Sequence, residues 1–91
     1  MLKVKLGKEV VVRVRNEIGL LAQISKLVAE KGINILAAAA WVEGPDGVVH
    51  LVTDDNLRVT DALRHKGYNP REHDVVLVET AHKPEIGRAH V

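Results

Sequence analysis

Residues 9–35, EVVVRVRNEIGLLAQISKLVAEKGINI, decide the fold. From Glu9 to Arg15 the chain alternates. Val10, Val12 and Val14 point one way, and Val11, Arg13 and Arg15 the other, which is the period of a strand. Asn16-Glu17-Ile18-Gly19 breaks that period, with Asn16 suited to a turn or a helix N-cap. From Leu20 to Lys31 the period changes. Leu20, Leu21, Ile24, Leu27 and Val28 recur at helical spacing, and Gly32 stands where a C-terminal glycine ends a helix. A second strand is expected from Ile33 to Val42. Its four alanines, Ala37 to Ala40, are good helix formers, but they follow a helix stop and the β-rich Ile33-Asn34-Ile35 and precede a turn.

Working outward, Glu43-Gly44-Pro45-Asp46-Gly47 is a turn, and Val48 to Thr53 is a third strand that makes a hairpin with the second. Asp54-Asp55 opens a second helix from Asn56 to Lys66, closed by Gly67. Its apolar side is thin (Leu57, Ala62, Leu63), and Val59 and Thr60 are poor helix formers. Asp74 to Glu79 is a fourth strand. The order is β-α-β-β-α-β. With right-handed crossovers both helices lie on one face of an antiparallel four-stranded sheet, an α+β ferredoxin-like sandwich. The other face is left to solvent or a partner. Leu2 to Leu6 either adds a strand or extends the first. The expected division is an N-terminal strand or extension over 1–8, one domain over 9–79 and a tail over 80–91.

Composition narrows the function. The 91 residues suffice for one domain with a modest aliphatic core, since there is one Trp, one Tyr and no Phe. Domains this small often gain stability by associating, so a homo-oligomer is expected. The formal net charge is +1 and the basic residues are interspersed with acids, which leaves no electrostatic footprint for nucleic acid. Trp41 and Tyr68 are too few and too far apart for a base-stacking platform. There is no cysteine, hence no disulfide framework and no thiolate chemistry. No stretch is long enough to span a membrane, and no signal-peptide run opens the chain, so a cytoplasmic location is expected.

No catalytic constellation is visible. Ser25, the only serine, lies in Gln-Ile-Ser-Lys-Leu on the first helix, not in a nucleophile elbow. The five histidines, at 50, 65, 73, 82 and 90, show no zinc-site spacing. No metal and no cofactor are expected. An acylphosphatase-type enzyme shares the βαββαβ order but would need an arginine in the loop after strand one. That loop holds Asn16 and Glu17 instead.

Two motifs in the right β-α-β frame resemble the ACT domain. Asn16-Glu17-Ile18-Gly19-Leu20-Leu21 follows strand one, and Gly32-Ile33-Asn34-Ile35 opens strand two. The family's usual pattern is Asn/Asp-x-Pro-Gly-x-Leu, then Gly-x-Asn-Ile. The resemblance covers about residues 9–79 and includes the Asp54-Asp55 start and Gly67-Tyr68 end of helix two. It departs at Ile18, where the family usually has proline, so Gly19 makes the turn without a pre-set neighbour.

The resemblance implies a regulatory, non-catalytic module. It implies a small-molecule ligand, often a free amino acid, held between two domains by Asn16, Ile18, Gly19, Leu20, Leu21 and Asn34. A metabolic enzyme or a regulator acting in trans is the implied reader. The alternative is an assembly module that keeps the fold and has lost the pocket. In the tail, Glu85-Ile86-Gly87 echoes Glu17-Ile18-Gly19, as in the turn that opens a second unit in tandem ACT proteins. A short, partly ordered tail is the plainer expectation.

Overall fold

A computed structural model of the chain describes residues 2–15, 18–80 and 86–90. The elements are β1 (Leu2–Arg15), α1 (Leu20–Glu30), β2 (Ile35–Glu43), β3 (Asp46–Thr53), α2 (Asn56–His65), β4 (Arg71–Thr80) and β5 (Ile86–His90). The βαββαβ order is as expected. Leu2 to Leu6 extends β1 rather than adding a separate strand. Ile86–His90 of the tail is a further strand, so the sheet is five-stranded with order β2-β3-β1-β4-β5, every neighbouring pair antiparallel.

Several boundaries move by one to three residues: β3 begins at Asp46, α2 ends at His65, and β2 and β4 run on to Glu43 and Thr80. β2 begins at Ile35 because Ile33 is still part of the helix exit: its N–H donates to the Val28 carbonyl at 3.2 Å and its side chain is buried in the core. α1 ends at Glu30, one residue early. β4 begins at Arg71, because Arg71, Glu72 and His73 are already paired with Val11, Val10 and Glu9. Arg71 to His73 lacks apolar residues, so nothing in its own pattern announces a strand.

The main core lies between the helices and one sheet face. Val10 and Val12 of β1, Val49 and Leu51 of β3, Leu20, Ile24, Leu27 and Val28 of α1, and Val59, Ala62 and Leu63 of α2 form one buried cluster. Two periods meet there: alternate strand residues supply one wall and helical i, i+4 residues the other. Asp55 caps α2, its side chain accepting from the Arg58 N–H at 3.2 Å.

The opposite sheet face is not simply open. β1 pairs with β3 only from Val10 to Arg15 and with β4 only from Leu2 to Val11, so the sheet is staggered. Its β1–β4 half carries Val75 and Leu77, which pack on Val52 with Ala37 beside them in a second small core. Gly7 makes this approach possible, because a Cβ there would stand 2.9 Å from Leu77 Cδ1. The sheet therefore covers part of its own second face.

Candidate functional site

The residues that the resemblance implies fall in two places. Gly19 ends the turn after β1 in the left-handed region, φ 73° and ψ 23°, where glycine is unstrained. It is the N-cap of α1, and its carbonyl accepts from the Gln23 N–H at 3.1 Å. Asn16, a candidate cap, lies outside the described residues. Leu20 anchors the helix in the core, while Leu21 is at the surface and Ile18 is 94% exposed. Gly19, Leu20 and Leu21 line a shallow cleft of about 250 Å³ with Ala40, Trp41 and Val42 of β2 and Gly47, Val48 and Val49 of β3. The first turn of α1, whose residues Leu20 and Leu21 line this cleft, carries no acidic side chain to compete for the free N–H groups of the helix start.

Asn34 stands at the other end of the unit. Its N–H donates to Asp54 Oδ1 at 3.1 Å, its Nδ2 donates to Asp54 Oδ2 at 2.8 Å, and its carbonyl accepts from the Asp54 N–H at 3.1 Å. These bonds tie the start of β2 to the end of β3. The whole of α1, 11 residues and so roughly 16 Å long, separates Asn34 from Gly19. One chain brings Gly19, Leu20 and Leu21 together and leaves Asn34 apart.

A second cavity, not foreseen from the sequence, lies on the sheet face away from the helices. It measures about 570 Å³ and is lined by Val11, Arg13, Trp41, Glu43, Val48, His50, Asn69, Arg71 and His73. Beneath it is a buried acid–base pair. Glu9 is 0% exposed, and its Oε1 is 2.5 Å from His50 Nδ1. The two residues are 41 positions apart, and no local signal joins them. His50 also meets Trp41, with ring centroids 4.5 Å apart at 43°.

Trp41 is fixed from its other end. Its Nε1–H donates to Glu43 Oε1 at 2.9 Å, Arg13 Nη2 bonds Glu43 Oε2, and Arg13 Nη1 donates to Asp46 Oδ2 at 3.2 Å. The indole hydrogen bond, followed by that from Arg13, holds the Glu43 carboxyl below the usual glutamate range. The bonds to Glu43 and then Asp46 push the Arg13 guanidinium further up. A depressed carboxyl stabilises the cluster above the ordinary glutamate range, and that contribution is lost as pH falls through its lowered value. Trp41 is the only tryptophan, so its fluorescence should show an acid transition centred below the ordinary range, absent from Glu43→Gln. A transition at or above that range would contradict the geometry.

Among the described residues no group of three or more His, Asp or Glu side chains is placed to hold a metal ion, and no helix is long and apolar enough to cross a membrane.

The family model for the ACT domain matches residues 8–65, more than half of the chain. The chain belongs to the ACT domain family. ACT domains are regulatory, non-catalytic, ligand-binding modules, and the Gly19 turn lies within the matched segment. The comparison with curated proteins found no match.

Solved structures agree on the ACT fold. A protein from Bacteroides thetaiotaomicron superposes with a TM-score of 0.70 at 19% identity, over 79% of this chain and 50% of that one. The regulatory subunit of aspartate kinase from Thermus flavus gives 0.61 at 18% identity, over 85% of this chain and 58% of that one. The same subunit from Thermus thermophilus, in its ligand-free form, gives 0.60 at 13% identity, over 81% and 58%. This ACT chain thus spans between 50% and 58% of the length of these relatives.

Proposed function

We propose that this ACT domain is an amino-acid sensor that works as a homo-oligomer, with the ligand held between two copies. The observation that carries this is the split site. Gly19 and Asn34 lie at opposite ends of α1, and a two-fold pairing of β2 with its copy reunites them. β2 is an edge strand. In an antiparallel β2–β2 pairing centred on Ala39, Ile35 of one copy faces Glu43 of the other. Asn34 of one then lies beside the hairpin that borders the Gly19 cleft of the other.

The exposed side chains suit that pairing. Leu36 is 43% and Val42 77% exposed, and they stand three residues either side of Ala39, so each Leu36 faces a Val42. Ala38 and Ala40 between them are small and exposed, which permits close approach. An edge strand of this kind is otherwise a liability that proteins cover. At the junction, the N–H groups at the start of α1 suit a carboxylate, and the Asn34 side chain supplies a donor and an acceptor for the remainder of an amino acid. Ligand seated across both copies ties occupancy to association, which an enzyme or regulator in trans can read.

A thermal-shift screen with the twenty amino acids, paired with sedimentation of the same samples, tests this. A ligand at a hundred times its dissociation constant adds about 2.7 kcal/mol, and each kcal/mol moves the midpoint of a domain this size by roughly 4–8 °C. One or two amino acids are expected to raise the midpoint and strengthen the oligomer. A flat panel with an intact dimer would favour an assembly module. Ile18, exposed where the family usually has proline, is the feature that favours that second reading.

A further inference from the structure

We propose that the sheet face away from the helices holds a second small-molecule site, for a planar carboxylate of the aromatic-acid class, with Arg71 as the anion anchor and Trp41 and His50 as the flat wall.

The strand register sets the geometry. Val11 of β1 lies opposite His50 of β3 on one side and Arg71 of β4 on the other, so the three form one row across the sheet. Opposing residues project from the same face. Strands lie roughly 4.8 Å apart, so His50 and Arg71 stand about 10 Å from one another across a floor made by the small Val11 side chain. The cavity over this row, about 570 Å³, is of small-molecule size.

The wall is pre-organised. The Trp41 indole is tied to Glu43, the His50 imidazole is tied to buried Glu9, and the two rings are in contact. Rings already fixed lose little freedom when a flat ligand packs on them. The charges assign the polarity of the ligand. Arg13 is engaged by Glu43 and Asp46, and Glu9 by His50. Arg71 takes part in no ion pair among the described residues. A guanidinium at a cavity rim receives a carboxylate through two parallel hydrogen bonds, a geometry that lysine lacks. This site shares only Trp41 and Val48 with the Gly19 cleft and does not rest on the amino-acid reading.

The test is an amide ¹H–¹⁵N titration of the full chain with benzoate, and with benzamide as the neutral control. Saturable shifts are expected at Val11, Val48 and Arg71 with benzoate. Binding should weaken by about tenfold or more with benzamide and in Arg71→Met, with Arg71→Lys in between, in line with loss of a charge-assisted pair. Arg71 is exposed, so these variants keep the fold. The proposal is overturned by any of three results. One is no saturable shift up to about 20 mM benzoate, weaker than any useful site. Another is shifts confined to Gly19, Leu20 and Leu21. The last is an Arg71→Met variant that binds benzoate as before, or changes only the oligomeric state.

Discussion

His50→Leu should lower the unfolding free energy by about 1–3 kcal/mol, because it removes one partner of a buried hydrogen bond and leaves the Glu9 carboxyl in place. Glu9 is 0% exposed, so in the folded chain its carboxyl is shielded from bulk water. For a domain this size the loss corresponds to a fall in midpoint of roughly 4–8 °C per kcal/mol. The double variant Glu9→Leu with His50→Leu should recover most of it, since swapping a whole buried pair for apolar groups of similar volume is often neutral or stabilising. Urea unfolding at neutral pH measures both. A single variant within about 0.5 kcal/mol of the parent, the range of ordinary surface changes, would show that the pair does not bear on stability.

The second large effect is expected at Leu63. α2 is a poor helix by its own residues: Val59 and Thr60 lose side-chain freedom in a helix, and its apolar side is short. It forms because Val59, Thr60, Ala62 and Leu63 are buried against the sheet. Leu63 is among the largest fully buried side chains. Leu63→Ala should cost about 2–5 kcal/mol, the transfer term plus the cavity left between α2 and β1. The loss should also be uneven. Native-state hydrogen exchange of the variant should show α2 amides losing protection first, with Val10 to Val12 and Val49 to Leu51 last. Equal loss everywhere would mean that α2 is no separate unit of stability.

The two faces of the sheet differ in how far the sequence declared them. The helix-facing core was legible, because Val10, Val12 and Val14 on one period and Leu20, Ile24, Leu27 and Val28 on another each mark their own inner face. The ACT motifs were legible too, as short runs at fixed separation. The second face was not. Glu9 reads locally as the charged first residue of a strand, and His50 as a lone histidine in a strand. Only the pairing of β1 with β3, and the curl that brings Val75 and Leu77 onto Val52, buries them together. Arg71 and His73 were hidden for the same reason, in a segment whose own pattern does not announce a strand.

The order of the elements, the helix face of the sheet and the family were determined by the sequence alone, because periodicity and short motifs are properties of neighbours along the chain. Tertiary structure decided the fifth strand from the tail, the pairing of Arg71 to His73 with β1, and the acid–base pair beneath a tryptophan-walled cavity. Each of these depends on register between distant strands. A shift of one residue there would send every side chain to the opposite face, and no local pattern fixes it.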